Sequence, residues 1–92
     1  MTATAARTYT AWELVGFDAG TYHDPHTDEW VNEPAAVRLV GGHTLYDQVY
    51  FNAFTPGSCV RLDRLDVDRY GLRVRHRYVP PDTRLEVVLD GR

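Results

Sequence analysis

The stretch VRLDRLDVDRYGLRVRHRYVPPDTRLEVVL, residues 60–89, decides the fold. Tyr70-Gly71 marks one turn and Pro80-Pro81-Asp82-Thr83 the next, so the segment reads as three consecutive strands, a C-terminal meander. Setting Val67 opposite Leu72 also sets Leu65 opposite Val74. Carried onward into the third strand, the same alternation puts Tyr78 against Leu85, His76 against Val87 and Val74 against Leu89. One face then collects Leu65, Val67, Leu72, Val74, His76, Tyr78, Leu85, Val87 and Leu89, which strands of period 2 can bury together. The other face carries Arg64, Arg73, Arg75 and Arg77, with Asp66 opposite Arg73 and Glu86 opposite Arg77. A slip of one residue would drive the arginines into the core, so the register is well specified. Leu62 and Val88 fall on the arginine face, which implies that part of it is covered.

Working outward, Thr8 to Phe17 is rich in β-forming residues. Trp12 and Leu14 lie on one side and Tyr9, Val15 and Phe17 on the other, the pattern of an interior strand. Thr21 to Val31 reads as a hairpin. Asp24-Pro25 opens its turn, because Pro presets φ and the Asp side chain can bond the backbone ahead, and Asp28 tolerates a left-handed conformation.

Residues 34–54 fit two templates. Gly41-Gly42 between Val37–Val40 and His43–Leu45 is a hairpin signal, whereas Asn32-Glu33-Pro34 could cap a helix ending at Gly41. For Leu45 to Phe54 a helical arc competes with a strand carrying Leu45, Val49, Phe51 and Ala53 on one face. The aromatic and β-branched content favours the strand, and Thr55-Pro56-Gly57-Ser58 ends it.

These elements predict one mainly β domain over residues 8–92, a small sandwich or partly closed barrel with at most one or two short helices. A polar tail of residues 1–7 precedes it, expected to be flexible. At 92 residues there is room for one core and no second domain. The 11 aromatic residues argue against disorder. All 10 basic residues are Arg, with neither Lys nor Ile in the chain. That usage points to a G+C-rich coding sequence, as in a bacterium or a phage, and so to origin rather than mechanism. One cysteine, Cys59, cannot pair within the chain, and no segment has the pattern of a signal peptide or a membrane helix. A cytoplasmic location is the default expectation.

Candidate sites are few. His23, Asp24, His26, Asp28 and Glu29 form the densest set of metal-type ligands, and His23, His26 and Asp28 are the combination a metal-dependent enzyme would use. His-x-x-His around a proline is not an established spacing, so a polar hairpin tip is the expected role and no metal or other cofactor is expected. Trp12-Glu13, Tyr22, His26, Thr27, Trp30 and Pro34 follow the order seen in a WW module. The tryptophans are too close together, though, and the tandem aromatic of the middle strand is missing. Trp12 and Trp30 are accordingly assigned to the core or its edge. Cys59 has no basic neighbour in sequence, His76 reads as a core histidine, and His43 as exposed. No Ser-His-Asp order, carboxylate pair or phosphate-binding loop stands out.

The arginine face is the remaining feature. Arg64, Arg73, Arg75, Arg77 and Arg84 could hold carboxylates bidentately. The charge is also divided: the net charge is −3, yet residues 60–92 hold eight Arg against six acids while residues 1–59 hold two against seven. The expected function is therefore a non-catalytic binding or adaptor protein that recognises an acidic protein partner, or itself, through this face. A nucleic-acid-binding β protein is the first alternative, disfavoured by the overall acidity. A small metal-dependent enzyme using the His23 and His26 loop is the second.

Overall fold

Asp68 and Gly71 flank a two-residue turn, and from there the hairpin of residues 60–79 runs in the expected register, with Val67 paired to Leu72 and Leu65 to Val74. The structure is a computed structural model that describes residues 7–89. The tail expected at residues 1–7 thus falls, apart from Arg7, outside the described residues.

Numbered in chain order, the strands are β1 (Thr8–Thr10), β2 (Thr21–Asp24), β3 (Glu29–Asn32), β4 (Ala35–Leu39), β5 (Gln48–Phe51), β6 (Val60–Asp68), β7 (Gly71–Val79) and β8 (Arg84–Leu89). A 3-10 turn at Trp12–Leu14 is the only helix among the described residues. The chain is mainly β, in three antiparallel sheets ordered β1-β8-β4, β2-β3 and β5-β6-β7, none closed into a barrel. Isolated bridges from Asp18 to Gln48 and from Val37 to Tyr46 stitch the sheets around a single core. Tyr9, Leu14, Phe17, Val37, Val49, Val60, Leu62 and Leu85 are the largest fully buried side chains.

The three C-terminal strands follow one another through two tight turns, in the order of a meander. The third, however, leaves the edge of the second. β8 lies between β1 and β4, where Leu85 pairs with Tyr9 and Leu39, and Val87 with Val37. The expected pairings of Tyr78 with Leu85, His76 with Val87 and Val74 with Leu89 are therefore not formed. Glu86 accepts a hydrogen bond from Arg38, its β4 neighbour, rather than from Arg77. Local alternation cannot distinguish these outcomes, because β8 presents Leu85 and Val87 to either neighbour equally well.

The N-terminal third also differs from expectation. The interior strand at residues 8–17 stops after Thr10, where Glu13 folds back to accept from the Thr10 backbone N–H and closes the 3-10 turn. Leu14 and Phe17 still reach the core, but Trp12 is exposed beside Phe51, with rings 5.6 Å apart. Trp30, on β3, is 75% exposed beside His23, so neither tryptophan belongs to the core. The β2–β3 hairpin forms as expected. Asp24 accepts from the His26 N–H at 2.8 Å, and Asp28 takes a φ of 58°. Residues 48–51 take the strand alternative, although only Val49 of the expected inward face is buried and Phe51 is exposed. Gly41-Gly42 does turn the chain, with the Gly42 N–H bonded to the Leu39 carbonyl, but the return pairs with β4 only at Tyr46.

Candidate functional site

β6 and β7 are each nine residues long, whereas β5 pairs only with Val60 to Asp63 of β6. The distal half of the hairpin, Arg64 to Arg75, consequently extends past its sheet neighbour. The strand period assigns its two faces. Val60, Leu62, Arg64 and Asp66 share one with Val79, Arg77, Arg75 and Arg73; Arg61, Asp63, Leu65 and Val67 share the other with Tyr78, His76, Val74 and Leu72.

The face that enters the core is the arginine face. At its base Val60, Leu62 and Val79 are buried together with Val49 of β5, and only beyond Leu62 does it open into Arg64, Asp66, Arg73, Arg75 and Arg77. The face expected to be buried lies outside. Val67 is 78% exposed, Leu72 69%, Leu65 48% and Val74 46%. With β8 paired elsewhere, no third strand or covering layer among the described residues buries them. Leu62, the apolar residue that seemed out of place among arginines, was the signal for the correct orientation.

On the arginine face Asp66 is the organising group. Its two oxygens accept from Arg64 at 2.6 Å and Arg75 at 2.7 Å, and those hydrogen bonds hold its carboxyl below the usual carboxylate range. Asp66 sits opposite Arg73 in the register, as expected, yet its oxygens bind the diagonal Arg75 of β7 and Arg64, two residues back on its own strand. Among the described residues neither Arg73 nor Arg77 has a carboxylate within ion-pair distance. Arg64, Arg75 and Arg77 line an open recess of about 330 Å³ together with Thr44, Tyr46 and His76. No feature of the sequence tied Thr44 or Tyr46 to these arginines. Arg84 does not belong to the group: it lies on β8 in another sheet and donates to the Thr8 hydroxyl at 2.7 Å.

On the apolar face, His76 is tied to the buried Asp63 at 2.7 Å, and Asp63 also holds Arg61. This fixes the proximal end of the hairpin and leaves the distal apolar strip bare. His76 is exposed, contrary to its reading as a core residue.

The remaining candidates do not assemble into a site. His23 meets Asp28 at 2.9 Å, but His26 turns to the Thr8 carbonyl and packs on Tyr9, so the three residues of the metal alternative do not converge. Cys59 is a free, half-buried thiol and His43 is exposed. A second recess, about 470 Å³, lies beside Tyr9, Tyr22 and Asp24. Arg7 neutralises Asp24 there at 3.3 Å, and burial pushes both tyrosine hydroxyls above their ordinary range, with Asp24 adding to the shift. Neither a family model, nor a curated protein, nor a solved structure gives a significant match to this chain.

Proposed function

We propose that this chain is a non-catalytic protein-binding module that holds an acidic protein partner with its β6–β7 hairpin. One observation carries the reading. The hairpin exposes an apolar strip of Leu65, Val67, Leu72 and Val74 on one side and Arg73, Arg75 and Arg77 on the other. A solvated arm has no need of that apolar strip, and a core strand has no need of the arginines. Arginine beside apolar and aromatic side chains is the composition of binding interfaces. The partner should be acidic, because between Val60 and Val79 the hairpin carries six Arg against three Asp.

The test is the double charge reversal Arg73→Glu with Arg77→Glu, chosen because neither residue has a carboxylate partner among the described residues. The melting transition is expected to stay within a few degrees of the parent, while association with an acidic partner retained from a host extract is abolished. Association of the parent should also weaken as salt screens charges over about 8 to 10 Å. A salt-dependent gel shift with nucleic acid, and no acidic protein retained, would move the arginines from carboxylates to phosphates and sink the reading.

A further inference from the structure

We infer that the partner segment binds as an added strand along the open edge of β7, with acidic and apolar residues in alternation. The inference rests on the reading of an acidic partner and specifies how that partner is held.

Three observations lead to it. First, β7 is the terminal strand of the sheet β5-β6-β7. Second, Asp68 and Gly71 close a two-residue turn, so they must form a hydrogen-bonded pair, and hydrogen-bonded and non-bonded pairs alternate from there. Arg73, Arg75 and Arg77 therefore direct their backbone groups to β6, whereas Leu72, Val74, His76 and Tyr78 direct theirs to the open side. Among the described residues no backbone hydrogen bond reaches those four from outside the hairpin. The edge is a row of unmet donors and acceptors, the template on which strand addition works.

Third, the side chains along this edge are sorted by face. A strand laid beside β7 would place alternate residues next to Leu72, Val74, His76 and Tyr78 on the apolar face, and the intervening ones next to Arg73, Arg75 and Arg77 on the other. Apolar residues fit the first set and acidic residues the second. A second copy of this chain does not fit. Antiparallel pairing of two β7 edges that keeps like faces together sets arginine against arginine, which is destabilising. A segment with a carboxylate at every second residue supplies what Arg73 and Arg77 lack within the described chain.

The experiment uses the full chain and a fluorescein-labelled, end-capped peptide alternating four Glu with three Val, compared with a block-ordered peptide of the same composition. The alternating peptide is expected to bind about tenfold more tightly than the block peptide, the size of effect that a few net backbone hydrogen bonds produce. Hydrogen exchange at the amides of Leu72, Val74, His76 and Tyr78 should slow on binding, while Arg73, Arg75 and Arg77, already bonded to β6, stay as they were. Val74→Pro removes an open-side donor and spares the β6 ladder, so it should retain the fold and lose about tenfold in affinity, whereas Val74→Ala keeps the donor and should lose less. Equal binding of both peptides, abolished by the Arg73 and Arg77 reversal, would leave an acidic partner standing and overturn strand addition. Failure of the alternating peptide to bind, or slowed exchange at other amides only, overturns the inference as well; the arginines would then serve to block edge pairing.

Discussion

Leu62 and Val74 sit on adjacent strands of one hairpin, yet Leu62 is completely buried and Val74 is 46% exposed. Truncation should separate them. Leu62→Ala removes a packed side chain and is expected to cost about 2 to 5 kcal/mol in denaturant unfolding, and Val74→Ala no more than about 1 kcal/mol. Equal costs would show that both faces are buried. Gly20 is a second residue with a specific demand: its φ is +96°, and an added Cβ would collide with the Glu33 carbonyl in the link from β3 to β4. Gly20→Ala should therefore destabilise by about 2 kcal/mol or more, because backbone on both sides has to move. Tyr9 and Tyr22 have raised pKa values, so the folded state favours their neutral form. That stability is complete below the ordinary tyrosine pKa of about 10 and is lost as pH rises through the folded-state values. In an alkaline titration read by phenolate absorbance, two of the six tyrosines should ionise late, with unfolding.

Between elements, the Asp66 carboxylate ties β6 to β7 on the distal arginine face by accepting from Arg75, while Arg64 of its own strand holds its other oxygen. Its folded-state pKa is lowered, so the clamp is fully formed above about pH 4 and is lost as pH falls through the depressed value. Amide exchange in Arg64 to Arg75, corrected for intrinsic rate, should not vary between pH 5 and 8 and should quicken only in stronger acid. Asp66→Asn should show the quickened exchange at neutral pH; no difference from the parent would mean that the clamp contributes nothing to the arm. The register of this hairpin was legible in the sequence because Tyr70-Gly71 and the apolar alternation act within about 20 residues of each other. Which face is buried was not. That depends on β8 pairing with Thr8–Thr10, more than 70 residues away, and a strand with Leu85 and Val87 on one side carries no mark of its partner. The arginines were read as one group for the same reason, until the assignment of Arg84 to a different sheet removed it.

At the scale of the molecule, no ion pair among the described residues joins an arginine of the β6–β7 hairpin to an acid in the first part of the chain. Arg64 and Arg75 are satisfied by Asp66 of their own hairpin, and Arg38 by Glu86 across β4 and β8, while Asp24 takes Arg7. Thr44 and Tyr46 border the arginine face without pairing its charges, and the domain presents a two-faced distal arm whose base, through Val60, Leu62 and Val79, is part of the core. The most direct test of this arrangement is equilibrium denaturation of the double variant Val67→Thr with Leu72→Thr, which adds polar groups without placing like charges opposite one another. An arm whose apolar face lies outside the core predicts an unfolding free energy within about 1 kcal/mol of the parent and an unchanged dependence on denaturant. A loss of several kcal/mol would place those side chains in the core and contradict it.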